Sequence, residues 1–455
     1  MKGNSWFVMS SNERNRLLPN NSSRNTVLVG KLQVINDSFN NNTSTKINYS
    51  DLCNEIFNGI IRWIRIDRWT IEEWILVGSI TGFMLFTASE RVSFKMIVDR
   101  VTPFRFVYIV LTLFLLLIIN GSILLYKLCF TDKITTRMKK FPLTNVAVMA
   151  LIDVIQFAGL FVSASGVSPT MTVILLHAST PCFICGTFIV FPNRKYSPVQ
   201  IRGSVLILIA IVISVIRPLL FLIDSSQQAN YRIQYAYSSI LYVFFSGVLG
   251  VATLYKERCI IQWSQPIDIH YISVWSYLFQ LLYALILSPL IYLMQNFTTS
   301  TWSGFNISSF RTNVIDSLSC IQGNTPNTDD SIYDTAFTSC SYSIFIVVAF
   351  VSSNILIQEC IGQVLQTSNL LLGRCVAAAV FIAFIALGIY DTKVDYGNGI
   401  FGSNITFIDV IAVVVLIAGL EMYGEDMEPD VEIITNYESV NSSTSSNNKA
   451  GVDTA

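Results

Sequence analysis

An all-α membrane protein of about ten transmembrane helices is the fold class this sequence predicts, and three observations predict it. Only 13% of the 455 residues are charged, where soluble domains carry about 25%. The charges are segregated, with none in residues 106–125, 205–216 or 344–357. Apolar segments then recur ten times, each near the ~20 residues a helix needs to cross the hydrocarbon core. A net charge of -1 without a dense basic face excludes nucleic-acid binding.

Along the chain, residues 1–69 read as a cytosolic tail whose stretch NDSFNNNTSTKINYS cannot bury a core. The tail ends in residues 51–69, where Ile, Phe and Trp recur at helical spacing beside Arg62, Arg65 and Arg68, the pattern of a helix lying on a membrane surface. The first 55 residues are polar and do not read as a cleavable signal peptide, so the first apolar helix is expected to act as its own insertion signal. The ten helices are placed at 70–89, 104–128, 141–164, 167–191, 201–223, 233–254, 271–294, 341–360, 370–389 and 405–423. Ser165 and Gly166 alone separate the third and fourth, which predicts a tight hairpin; the polar stretch 362–369 separates the eighth and ninth. Residues 425–455 read as a disordered acidic tail.

Loop charge orients the chain, because short cytoplasmic loops are enriched in Lys and Arg. Lys133, Arg137, Lys139 and Lys140 follow the second helix, Arg194 and Lys195 the fourth, and Lys256 and Arg258 the sixth, all on one side. Both termini are therefore expected in the cytosol. Lys95, Arg100 and Arg105, after the first helix, are the exception. The sequons at Asn296, Asn306 and Asn404 fall on the opposite, lumenal side, where glycosylation occurs. The large loop 295–340 also holds Cys320 and Cys340, the only pair outside apolar segments; a bridge is the preferred reading, two free thiols the alternative. Cys182 and Cys185 form a CxxC in an apolar helix and read as packing residues.

Ten helices divide into five and five, at 70–230 and 231–424, and an odd number per half turns the halves in opposite directions, as in inverted-repeat transporters. A weak internal likeness between ASERVSFKM and VATLYKERC agrees with this. No P-loop, metal-spaced His cluster or nucleophile elbow argues for an enzyme or a cofactor. A channel and a receptor or scaffold without flux are the rival readings. Scarcity of charged rings disfavours the channel.

A charged side chain in hydrocarbon costs about 3 kcal/mol or more, so each one suggests a function. Asp153 sits mid-helix and could bind a proton or neutralise a cationic substrate; the alternative is a carboxyl bonded to a neighbouring helix. His177 reads as the one intramembrane histidine, either titrating across a proton gradient or packing. Glu90 and Arg91 close the first helix, as a pathway pair or an interfacial one. Glu359 and Arg374 are expected to pair across the hairpin of helices eight and nine, and Arg217 to snorkel to the interface. Small residues from Ala158 to Gly166 are expected to let helices three and four pack closely. Glu13, Leu17 and Leu18 fit an acidic dileucine sorting signal, and Tyr437 and Val440 a tyrosine-based one, both of which cytosolic adaptors could read.

Residues 141–191, with Asp153, a short break, and HASTP at 177–181, resemble helices three and four of the chloroquine-resistance-transporter-like family, within the drug/metabolite transporter superfamily. SFKMIVDR at 93–100, YKER at 255–258 and the Cys-bearing loop extend the likeness over residues 70–424. The resemblance implies two inverted five-helix halves around a central cavity and residence in an acidic vacuolar or lysosome-like membrane. It also implies proton-driven export of amino acids, small peptides, glutathione-like thiols or amphipathic cations, serving nutrition and osmotic balance. By the resemblance, Arg91 falls at a charge-sensitive position of the cavity mouth, and position 177 at one where the family carries a polar residue. The chain departs from the family pattern at three places. It has one cysteine pair in the large loop where parasite members have two; the Asp-Asn of helix eight reads Ser353-Asn354; and the Gly-Pro of helix nine reads as the Ala run 377–379. These positions line the family's cavity, so the substrate stays open.

Overall fold

Hydrocarbon offers backbone N–H and C=O groups no partner, so each apolar run must satisfy them internally as a helix. The computed structural model describes residues 71–100, 104–131, 134–135, 138–192, 194–223, 229–263, 268–298, 307–324, 340, 342–367, 369–393 and 406–425. Ten helices among the described residues are long and apolar enough to cross a membrane. They are α1 (Ile71–Arg100), α2 (Arg105–Phe130), α3 (Leu143–Ser163), α4a and α4b (Pro169–Leu176 and Ser179–Val190) and α5 (Pro198–Ile223). The second half holds α6 (Ala229–Trp263), α7a and α7b (Ile269–Ile286 and Ser288–Thr298), α8 (Ser343–Thr367), α9 (Asn369–Lys393) and α10 (Phe407–Glu425). Successive helices reverse direction, giving a start face, where α1 begins, and a loop face, where α1 ends.

Lipid is as apolar as leucine, so helix contacts rest on close packing and polar bonds rather than on hydrophobicity. Helix α1 packs along α8 and α9, α6 along α3 and α4b, α7a along α2 and α3, and α5 along α10. Glycines set the closest approaches. Gly250 of α6 lies against the Ser179 carbonyl at the start of α4b with no room for a Cβ, and Gly203 and Gly419 seat α5 on α10 in the same way. Gly159 on α3 receives the ring of Phe245 from α6, so it serves the α3–α6 contact and not the α3–α4 contact expected for it. Ile209, Val212 and Leu220 on α5, and Phe244 on α6, remain exposed, as a lipid-facing surface requires.

Three helices, α1, α6 and α8, run further than their apolar stretches suggest. Helix α1 continues to Arg100, so Glu90 and Arg91 lie within it, and Lys95 is buried instead of belonging to a loop. Helix α6 continues to Trp263, which carries Lys256 and Arg258 inside the helix. The cause is pairing, since a charged residue extends a spanning helix when its charge meets a partner. Lys95 meets three: its Nζ donates to the carbonyls of Ala164 and Val167 at 2.9 and 2.8 Å and lies 2.7 Å from Asp99. Those carbonyls belong to the short turn between α3 and α4, and Arg105, also fully buried, donates to the Val162 carbonyl beside it at 3.1 Å. The predicted hairpin is thus held by cations reaching in from α1 and α2.

Arg217 does not snorkel as expected; it pairs with Asp409 of α10 at 2.7 Å, because α5 and α10 pack along their length. In the large loop, a helix over Ile307–Ile321 carries in its last turn Cys320, which is disulfide-bonded to Cys340, with Cα atoms 4.9 Å apart. Residues 51–69, the sequons at Asn306 and Asn404, the side chain of Asn296 and the tail signals at Glu13, Leu17, Leu18, Tyr437 and Val440 lie outside the described residues.

Lys95→Met removes the cation that bridges two turn carbonyls and Asp99. Thermal unfolding in detergent should show a loss of about 3–5 kcal/mol, the cost of stripping one partner from a buried charge, whereas Arg258→Met, at an exposed position, should change stability little.

Candidate functional site

Pro181 breaks the fourth helix. Having no N–H, it cannot donate to the carbonyl of His177, four residues back. That carbonyl accepts from Thr180 N instead, at 3.0 Å, and the N–H groups of His177 and Ala178 reach the carbonyls of Ile174 and Leu175 at 3.1 Å. The result is a tight turn in the middle of a span, with every residue of α4a buried and most of α4b accessible. His177 sits at the turn, half-buried.

Facing this break are Glu90 and Arg91 of α1 and Tyr242 of α6. Arg91 acts electrostatically on both His177 and Tyr242, and Glu90 on Tyr242. Arg91 Nε lies 3.3 Å from the Glu90 carboxylate, both being largely withdrawn from solvent. Among the described residues, Arg91 Nη1, the Tyr242 hydroxyl and the hydroxyls of Thr87 and Ser246 are buried with no hydrogen-bond partner. A buried polar group without a partner costs stability, so such a cluster needs a reason other than folding. Ser353 of α8 joins from the far side, its hydroxyl donating to that of Ser89 at 3.0 Å.

A second polar group lies nearer the start face. Asp153 of α3, only 6% exposed, pairs with Lys256 of α6 at 2.6 Å through Oδ1 and accepts from Gln280 Nε2 of α7a at 2.9 Å through Oδ2. Gln280 Nε2 also reaches Ser276 Oγ at 2.9 Å. Tyr277 stands within electrostatic reach of both members of the pair and against Gln358 of α8. Gln358 in turn donates to Asn354 Oδ1 at 3.3 Å. The neighbours Ser353 and Asn354 therefore link the two groups. Gln156, one turn from Asp153 on α3, is buried with its Nε2 unpartnered among the described residues.

A third set closes the start face. Lys127 of α2 pairs with Asp268, the residue capping α7a, at 2.8 Å. Burial alone would raise the Asp268 pKa, but the Lys127 ammonium and the N–H groups of Tyr271 and His270 overcome it and hold the carboxyl below its ordinary range. His270, 4% exposed, sets Nδ1 3.3 Å from Asn120 Oδ1 and Nε2 3.3 Å from Glu359. His177 is thus not the lone histidine of the spans. Glu359 takes His270 as its partner and forms no pair with Arg374, which is exposed on α9. Helix α8 runs on to Thr367, and its turn past Glu359 points that carboxylate toward α7a.

Sequence reasoning found Asp153, His177, Glu90 and Arg91 but missed Lys256, His270 and Gln280. Lys256 was hidden because the apolar window ends at Leu254. The signal for the others was present: His270, Ser273, Ser276, Tyr277 and Gln280 recur three or four apart and form one buried face of α7a.

A family model described as chloroquine-resistance transporter-like, CRT-like, matches residues 75–423. The chain belongs to the CRT-like family. The match reaches from α1 to α10, in keeping with the ten apolar helices. Three relatives from Dictyostelium discoideum share the CRT name. Crt homolog 1 is 29% identical over 202 residues, 44% of this chain and 40% of the relative. Crt homolog 2 is 27% identical over 175 residues, 38% and 34% of the two chains, and Crt homolog 3 is 30% identical over 166 residues, 36% and 32%. Each match spans two fifths of the relative's length or less.

In this CRT-like chain Tyr242→Phe deletes a buried hydroxyl that has no partner among the described residues. The unfolding temperature in detergent should stay level or rise, by the equivalent of about 1 kcal/mol; a marked fall would mean that the hydroxyl is bonded.

Proposed function

We propose that this protein is a secondary active transporter of a vacuolar or endolysosomal membrane, exporting small solutes to the cytosol in a proton-coupled cycle. The substrates proposed are amino acids, small peptides, glutathione-like thiols or amphipathic cations, and the role is nutrient transport and osmotic balance. The observation that carries the reading is the break in α4 at His177, set mid-span against Glu90, Arg91 and Tyr242. Interrupted helices at the membrane midplane are where transporters build substrate sites, because irregular backbone is tolerated there only when it lines a pathway or is buried in protein.

Helix pairing supports an inverted repeat. Advancing each helix by five maps α1–α8 onto α6–α3 and α1–α9 onto α6–α4, while α2–α7 and α5–α10 map onto themselves. Alternating access by rocking of two such halves follows naturally. Loop charge supports a cytosolic start face. Lys95 and Arg105, which had weighed against it, are buried structural cations, and Lys139, Lys140, Arg194 and Lys195 remain near the start face. Asp153 and His177 lie on two levels of one polar core and are the groups through which protons are proposed to act. Sorting adaptors are proposed to read the signals in the two tails.

The test is efflux of labelled amino acids, short peptides, glutathione and a cationic amphiphile from acid-loaded proteoliposomes. Native protein should export at least one class at a rate that follows the proton gradient. Asp153→Asn should lose the gradient dependence, and His177→Ala should lower the rate about ten-fold or more, on the scale of one lost polar contact. No flux of any class would overturn the reading.

A further inference from the structure

Asp153 does not present a free carboxylate. One oxygen is held by the Lys256 ammonium at 2.6 Å and the other by Gln280 at 2.9 Å. The side chains of Lys256 and Asp153 are 13% and 8% exposed, so their charges are spent on each other in a poorly hydrated place. Among the described residues, Asp153 is the carboxylate paired with Lys256. Glu257, its neighbour in sequence, is engaged at 2.8 Å by Arg194 from the connection after α4b, and Tyr277 stands within electrostatic reach of both members of the pair.

We propose that Lys256 is a tethered cation that occupies the Asp153 carboxylate and must be displaced before that carboxylate can take a proton or a cationic substrate, which makes Lys256 a determinant of charge selectivity. The role rests on the transport reading above, though the occupancy itself does not. A tethered ammonium competes with free cations at an effective concentration in the millimolar range or above. A free monocation is therefore held off from Asp153, while neutral and zwitterionic solutes are not opposed. A proton on Asp153 cancels the attraction, frees Lys256 and loosens α6 from α3. Removing the ammonium exposes a buried, uncompensated carboxylate to whatever cation can enter.

Two measurements test this on the full chain. The first is thermal unfolding in ethylammonium, an untethered copy of the end of the lysine side chain, because a ligand that binds only the folded state raises its stability. Lys256→Ala should be stabilised at about ten-fold lower ethylammonium than the native protein needs, and Asp153→Asn/Lys256→Ala should not respond. If Lys256→Ala responds no more than native, or the double variant responds as strongly, the proposal fails. Lys256→Gln, which can still bond the carboxylate, is the second variant should the alanine form not fold, and the same comparison applies to it.

The second measurement is equilibrium exchange in proteoliposomes without a pH gradient. Lys256→Gln should raise the ratio of labelled lysine to labelled glutamine exchanged about ten-fold, and Lys256→Arg should keep the native ratio. An unchanged ratio in a folded, exchanging Lys256→Gln also overturns the proposal. Absence of exchange in the native protein, beside a positive ethylammonium result, would instead contradict the transport reading and leave the tethered cation standing.

Discussion

A charge inside hydrocarbon needs a partner, and that constraint organises this molecule. The idealised cost of moving a carboxylate or ammonium from water into a low-dielectric interior is about 20 kcal/mol, and several kcal/mol remain after relaxation. Among the described residues, several buried ions of the core are accordingly met by one from another part of the fold or by backbone, while Glu90 is met by Arg91 on its own helix. Asp153 on α3 meets Lys256 on α6; Arg217 on α5 meets Asp409 on α10; Lys127 on α2 meets Asp268 before α7a. Each such pair fixes the neighbourhood of two helices that apolar packing alone would leave free to slide in lipid. Lys95 extends the rule to backbone, its ammonium meeting two carbonyls of the turn between α3 and α4.

The polar core is divided by kind as well as by position. Among the described residues, buried donors and hydroxyls around the break in α4 lack partners, whereas both carboxylate oxygens of Asp153 are engaged. An unsatisfied group near an interrupted helix suits recognition of a solute; a satisfied pair suits control of movement. Ser353 and Asn354, adjacent on α8, touch one group each.

Much of the fold was legible because its strongest signal is composition. Segments such as 106–125 admit no solvent-exposed reading, and the Ser165-Gly166 break between two of them left only a hairpin. The errors came where charge interrupted hydrophobicity. Lys95 and Lys256 looked like loop residues because a hydropathy window treats every lysine as a cost, although each has a partner more than 60 residues away in sequence. Pairing at that range leaves no local trace. Asp153 and His177 stood out as polar residues in apolar helices, but what Asp153 binds could not be read from its own helix. The Glu359–Arg374 expectation failed for the same reason: sequence proximity suggested a partner, and the packing of α7a beside α8 supplied another.

In the proposed cycle Asp153 passes from an ion pair with Lys256 to a protonated state. Infrared difference spectroscopy on the reconstituted protein, stepped from neutral to acidic pH, observes that change directly. The account predicts a protonated-carboxyl band in the native protein that Asp153→Asn abolishes. An identical spectrum from Asp153→Asn, in protein that remains folded, would contradict it.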